Sequence, residues 1–151
     1  MTRTDEEPAG PHALDRVIWV LRRAELAVTA LKEQRLRPLG MEAAHYTLLI
    51  SVYSEPGLTR SELARRLNVT RQAVGALVVR LEHRGYLERR EHPRHQHVEE
   101  LHLTAAGLDA LRAADVVIAD IERLVTDGLG PEETAQLRAL LNHVTKTAGN
   151  G

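Results

Sequence analysis

The sequence predicts a mainly α-helical domain carrying one small β-hairpin. Three observations lead there. Hydrophobic residues make up 43% of the 151 residues but aromatic ones only 3%, with no Phe, so the core must come from Leu, Val, Ile and Ala. That set favours helix-on-helix packing over a β-sandwich. Apolar residues recur at helical spacing between clear Ser/Thr and Gly/Pro breaks over most of the chain. Only residues 86–90 and 98–103 read as short strands. The length suits one compact domain, or a small domain with an appended helical layer.

Residues 1–12, acidic and punctuated by Pro and Gly, are expected to be a disordered tail, and so is the closing "TAGNG". Leu14, Val17, Ile18, Leu21, Ala24, Val28 and Leu31 trace the stripe of a first helix. Trp19, Val20, Leu26 and Ala27 widen it almost all round, so it must be covered on more than one side. Pro38 and Gly40 end it. A second helix spans 42–53, with Ala43, Tyr46, Leu49, Ile50 and Tyr53 recurring, and Pro56-Gly57 makes a turn.

Thr59-Arg60-Ser61-Glu62 is a capping box opening a third helix to about Leu67. Asn68-Val69 breaks it, and Thr70 caps a fourth helix, 71–83, that buries Val74, Leu77, Val78 and Leu81. Gly85 stands where a left-handed helix cap belongs. "EHPRHQH" separates the two strands as a turn around Pro93, and Leu101 and Leu103 face inward. Thr104 caps a long helix, 105–126, broken by Gly128-Leu129-Gly130. Pro131, Glu132 and Glu133 then open a last helix to about Thr147.

A tight helix pair followed by a hairpin is a winged helix-turn-helix, whose second helix enters the major groove of DNA while the hairpin reaches the backbone or minor groove. Ala64 is small where the two helices cross, and Val69 is expected to plug the turn. Thr70 leaves the first amides of the recognition helix free for phosphate. Opposite the buried face lie Arg71, Gln72, Gly75, Ala76, Val79 and Arg80. Arg forks onto guanine and Gln onto adenine. Gly75 either permits close approach to DNA or is simply tolerated.

Charge agrees with this placement. The net charge is −1, yet residues 60–97 hold nine Arg against four Glu, a net of +5. One basic segment is hidden in a near-neutral total. Both lysines lie elsewhere.

Other classes find little support. With no Cys there is no disulfide, thiolate metal site or cysteine nucleophile. The start lacks the pattern of a signal peptide, and no apolar run approaches a membrane span, so a soluble cytoplasmic protein is expected. There is no Gly-x-Ser-x-Gly, no phosphate-cradling Gly-rich loop and no His-Glu-x-x-His, and Ser51, Ser54 and Ser61 lack a visible base. No enzyme activity and no cofactor are expected. His92, His95, His97 and His102 crowd the hairpin. They read as a phosphate-facing tip, a metal site or a plain solvated loop, and metal binding is not assigned.

"LTRSELARRLNVTRQAVGALVVRLEHRGYLERR", then Pro93, then "LHLTAAG", resembles the multiple-antibiotic-resistance regulator (MarR) family of bacterial repressors. The resemblance covers about residues 13–147. It implies an obligate homodimer in which residues 13–37 and 105–147 form a helical dimerisation region. Residues 41–104 then form the DNA-binding lobe, and two lobes straddle a pseudo-palindromic operator. It also implies a phenolic or aromatic ligand, bound between dimer layer and lobe, that releases DNA. The chain departs from the family pattern at Gly75 and Ala76, where polar residues are usual. It departs again at His95, Gln96 and His97, where Asp-Arg-Arg is common.

The expected DNA contacts are Thr59, Ser61, Thr70, Arg71, Gln72, Gly75, Ala76, Arg80, Arg89, Arg94, His95 and His97. The expected ligand contacts are Trp19, Arg23, His45, Tyr46 and Tyr53. The reading is a dimeric repressor released by a small ligand. The alternative is a winged-helix module that has lost DNA binding and whose arginines meet an acidic protein.

Overall fold

A computed structural model describes residues 9–150. Residues 1–8 of the expected tail lie outside the described residues. After a 3₁₀ turn at Ala13–Asp15 come helices α1 (Val17–Leu36), α2 (Ala43–Ser54), α3 (Arg60–Leu67) and α4 (Arg71–His83). The antiparallel strands β1 (Leu87–His92) and β2 (His95–Leu103) follow, then helices α5 (Ala105–Leu129) and α6 (Pro131–Gly149). This is the expected mainly helical fold with one hairpin.

The caps explain the boundaries. Thr59 and Glu62 exchange both capping-box bonds: the Thr59 hydroxyl accepts from the Glu62 amide at 3.2 Å, and the Thr59 amide donates to Glu62 Oε2 at 2.8 Å. Thr70 accepts from the Ala73 amide at 3.1 Å and Thr104 from the Gly107 amide at 3.0 Å. Asn68 and Gly85 take the left-handed conformation, with φ of +50° and +78°, and end their helices.

One core runs from the last turn of α1 (Leu36) through α2 (Leu48, Leu49, Val52), α3 (Leu63), α4 (Val74, Val78, Leu81) and the hairpin (Leu87, Leu101) to α5 (Leu111, Ala114). The hairpin is tied to the segment before α3 by a bridge between Leu58 and Leu101, in which the Leu101 amide donates to the Leu58 carbonyl at 2.9 Å. The bulk of α1 and all of α6 lie outside this core. α6 buries none of its residues, and α1 buries only Leu36.

Four expectations need correcting. The strands are longer than 86–90 and 98–103, and only Pro93-Arg94 turns, because backbone pairing continues to His92 and His95 although their side chains do not pack into the core. α5 continues through Gly128 to Leu129. An isolated helix glycine costs only about 1 kcal/mol, and the break falls at Gly130 with φ +85°. α6 runs to Gly149, so most of "TAGNG" is helical. Val69 does not plug the turn: it is 44% exposed, and the turn is closed by its amide bonding the Ala64 carbonyl at 3.1 Å.

Candidate nucleic-acid interface

α3 and α4 meet at the buried Ala64, and the tight turn at Asn68 sets α4 across the front of the lobe. With Val74, Val78 and Leu81 fully buried, Arg71, Gln72, Ala73, Ala76, Val79 and Arg80 are all exposed. Gly75 sits on the flank toward α3. A Cβ there would meet only Arg60 Nη1, at an ordinary 3.8 Å, so packing within the protein does not demand a glycine. Thr59 and Thr70 spend their hydroxyls on caps, and Ser61 is half-buried beside them.

The nine arginines of the basic segment divide by partner. Arg66 pairs with Glu55 and Arg90 with Glu88, both at 2.5 Å. Arg84 donates to the Gly40 carbonyl at 2.6 Å and lies over the Tyr86 ring. Arg89 reaches Glu82 of α4 at 2.5 Å and Glu99 of β2 at 3.1 Å; the bond to Glu82 is the chief cause holding its pKa above the ordinary arginine value. Arg89, an expected DNA contact, thus has its charge paired within the protein and braces the hairpin against α4. Arg60, Arg65, Arg71, Arg80 and Arg94 form no ion pair and no side-chain hydrogen bond among the described residues. These five keep their charge for an outside partner.

The wing histidines also separate. His95 and His97 are exposed near the tip beside Arg94. His92 and His102 face Glu100 instead, with ring Nε2 atoms 4.0 Å and 3.1 Å from its two carboxylate oxygens. Glu100 lies over Gly57, where a Cβ would come within 3.2 Å of Oε2. His92 Nδ1 accepts from the Arg94 amide at 3.1 Å. His92 and His102 thus secure the base and turn of the wing and are not part of a phosphate-facing tip. Among the described residues no group of three side chains is placed to hold a metal ion.

The five expected ligand contacts do not line one groove within a single protomer. Trp19 and Arg23 lie on the uncovered half of α1, Trp19 being 40% exposed and Arg23 bonding the Leu14 carbonyl. The Tyr46 hydroxyl donates to Asp115 of α5 at 2.8 Å; burial and that bond push its pKa up to about 12. Tyr53 opens onto a groove of about 290 Å³ with Val52, Pro56, Arg90, His102 and Leu108, which none of the other four lines.

His45 is the one buried polar or charged residue among the described residues. Its Nδ1 accepts from the Glu42 amide at 3.2 Å, which places the ring proton on Nε2, and Nε2 has no hydrogen-bond partner, with Glu42 Oε2 3.9 Å away. Burial lowers its pKa below the ordinary value near 6.5. Glu42 opposes this, Arg84 and Arg80 reinforce it, and Glu33 opposes it. Below pH 6.5 the unfolded chain therefore binds the proton more readily than the folded one. The stability that neutral His45 contributes is fully present above that value and is lost as pH falls toward its folded pKa. Urea midpoints between pH 7.5 and 5 are expected to fall more steeply for the parent than for His45→Gln. Parallel slopes would show that the ring titrates freely.

Sequence reasoning overlooked Arg60, placed beside Gly75, and the exposed Ala73. Arg60 had a legible signal: it holds the first position of a capped helix directly before the recognition helix.

The sequence profile of the MarR family matches residues 39–96, from the approach to α2 through the wing tip. The HTH-type transcriptional repressor Rv2887 of Mycobacterium tuberculosis is 28% identical over 141 residues, covering 93% of this chain and 96% of that one. The apo structure of MarR from E. coli superposes with a TM-score of 0.77 at 25% identity, over 85% of this chain and 96% of that one. The repressor CouR bound to a 23-mer DNA duplex gives 0.82 at 25%, over 89% and 96%. CouR bound to p-coumaroyl-CoA gives 0.78 at 26%, over 92% and 98%. No helix among the described residues is long and apolar enough to cross a membrane. A helix-turn-helix with uncommitted cations on its outer face, a braced wing and likeness over most of its length to these regulators together make the chain similar to the MarR family of transcriptional regulators.

Proposed function

We propose that the protein is a cytoplasmic homodimeric repressor that places α4 in the major groove of a pseudo-palindromic operator and lets go when a small aromatic or phenolic ligand binds. The observation that carries the DNA half is the outer face of α4: Arg71, Gln72 and Arg80 stand exposed with no intramolecular partner among the described residues. Arg71 and Gln72 occupy the first turn, where base edges are reached. Thr59, Ser61 and Thr70 lie at the neighbouring helix starts, Gly75 and Ala76 allow close approach, and Arg94, His95 and His97 meet the backbone from the wing.

Support for the dimer comes from apolar side chains that one protomer leaves open: Val17 and Ile18 of α1, Val116 and Leu124 of α5 and Leu140 of α6, each 56–72% exposed. Residues 13–37 and 105–147 form the pairing region in this reading, and a twofold axis between them presents two α4 helices to two half-sites. The ligand half draws on CouR, a relative seen with both DNA and an aromatic acyl-CoA. A pocket using Trp19 and Arg23 of the uncovered α1 needs the second protomer to close it, with Tyr46, His45 and Tyr53 on the lobe side.

Selection of bound duplexes from a random-sequence library tests the DNA half. A palindromic consensus is expected, with log affinity falling steeply against log salt. Arg71→Ala and Gln72→Ala should each weaken binding by about 1–3 kcal/mol and relax preference at one position. Intact affinity and preference in both variants would sink the docking. Adding aromatic acids to the preformed complex tests the release half, and failure of all of them to displace DNA would remove it.

A further inference from the structure

Resting on the DNA-binding reading of α4, we propose that the centre of this helix selects thymine by its methyl group, through Ala76 and Val79 with Ala73 beside them. Gln72, Ala76, Val79 and His83 are spaced four, three and four residues apart, which puts them on one strip of the helix. That strip lies opposite the fully buried Val74, Val78 and Leu81. Its middle is wholly apolar: Ala76 is exposed and Val79 is 56% exposed, with no core residue over either.

Such side chains offer a base edge neither donor nor acceptor. Pressed against guanine or cytosine they would desolvate the O6, N7 or N4 groups without replacing the lost hydrogen bonds. The thymine C5-methyl is the one apolar group that the major groove displays, and Ala and other small apolar side chains are its natural contacts. The strip is small and is framed by cations. Arg71 and Arg80 share its helix and Arg60 stands beside Gly75, none of them with a carboxylate partner among the described residues. That frame fits an apolar strip laid into a polyanionic groove.

Sequence preference is then divided along α4. Arg71 and Gln72 read donors and acceptors at the start of the helix, and Ala76 and Val79 read methyl groups in the next positions. The half-site should carry one or two A·T pairs there, with thymine methyls toward the protein.

The experiment takes a duplex selected as above and replaces thymine by deoxyuridine, one position at a time, at fixed salt. Each replacement removes one methyl group and leaves all base-pair hydrogen bonds unchanged. One or two thymines per half-site should lose about fourfold in affinity, the worth of one buried carbon of apolar surface. Elsewhere the replacement should be silent. Val79→Thr, which keeps one methyl and lies on the surface, should bind the same duplex more weakly. It should also shrink the deoxyuridine effect at its own position, so that the two changes are not additive. Unchanged affinity for duplexes with deoxyuridine throughout would overturn the methyl readout while leaving DNA binding intact. So would a selected half-site with no A·T pair opposite the helix centre. If no duplex is enriched at all, the DNA-binding reading itself falls and the methyl readout with it.

Discussion

Gly107→Ala is expected to cost about 3–5 kcal/mol of stability, enough to unfold a marginal domain. Gly107 is the third residue of α5, where the helix leaves the wing. A Cβ built there would lie 2.0 Å from the carbonyl oxygen of Tyr86, 2.9 Å from its carbonyl carbon and 3.1 Å from its Cα. All three are backbone atoms, and none can move alone. Tyr86 is held by its amide on the Leu81 carbonyl at 2.9 Å, and its own carbonyl accepts from the Thr104 amide at 3.1 Å. The Thr104 hydroxyl donates to the Gly85 carbonyl at 2.5 Å. To admit one methyl group, α5 must lift off the wing base. That breaks the two Thr104 bonds, worth about 0.5–1.5 kcal/mol each, and draws Leu111 and Ala114 from the core. Overpacking adds about 1–3 kcal/mol or more. Gly128→Ala in the same helix is the control. Nothing lies within 4 Å of its added Cβ, so it should gain up to about 1 kcal/mol. Urea unfolding of the three proteins decides the matter. A Gly107→Ala midpoint equal to the parent's would mean that the wing and α5 do not meet as described.

Gly107 also marks the boundary between what the sequence discloses and what it withholds. "LTAAG" is visible as a motif, and Thr104 as its cap, because a cap acts across three residues. The same is true of Thr59, Thr70 and Gly85, and for that reason the starts of α3, α4 and α5 and the end of α4 were legible. That Gly107 must be a glycine follows only from a contact with Tyr86, twenty-one residues earlier, and no local rule encodes it. Arg89 illustrates the same limit for the site. Its count in a basic cluster is legible, but its neutralisation by Glu82 and Glu99 depends on α4 and β2 meeting β1. Counting arginines therefore overstated the free charge, and only the fold shows which five remain. The wing was read as a long turn since His, Gln and Pro resemble loop composition. Paired strands with no core-facing side chains do not need the apolar alternation by which strands are recognised.

Ile18→Glu and Leu140→Glu should each dissociate the proposed homodimer and lower affinity for its proposed operator by about a hundredfold to ten-thousandfold. Both side chains are more than 60% exposed in one protomer, Ile18 at 67% and Leu140 at 64%, so neither change can damage the protomer's own core. Any large effect must come from a surface that a second copy covers. By twofold symmetry each substitution places two carboxylates in the interface, and an unpaired charge kept from water is among the costliest groups to bury. The loss on DNA follows from geometry. Two recognition helices held about 34 Å apart engage consecutive major grooves together. A lone protomer forfeits the effective concentration of the second contact, commonly worth a factor of about 10²–10⁴. Asn142→Glu is the matched control, since it adds the same charge on the side of α6 away from Leu137, Leu140, Leu141 and Val144. Light scattering should give twice the protomer mass for the parent and for Asn142→Glu, and the single mass for the other two. Far-UV dichroism should retain the helices of the lobe, whose core those two positions do not enter. Dimers of unchanged stability in both Ile18→Glu and Leu140→Glu, with operator binding intact, would show that the apolar faces of α1 and α6 are not where the protomers meet.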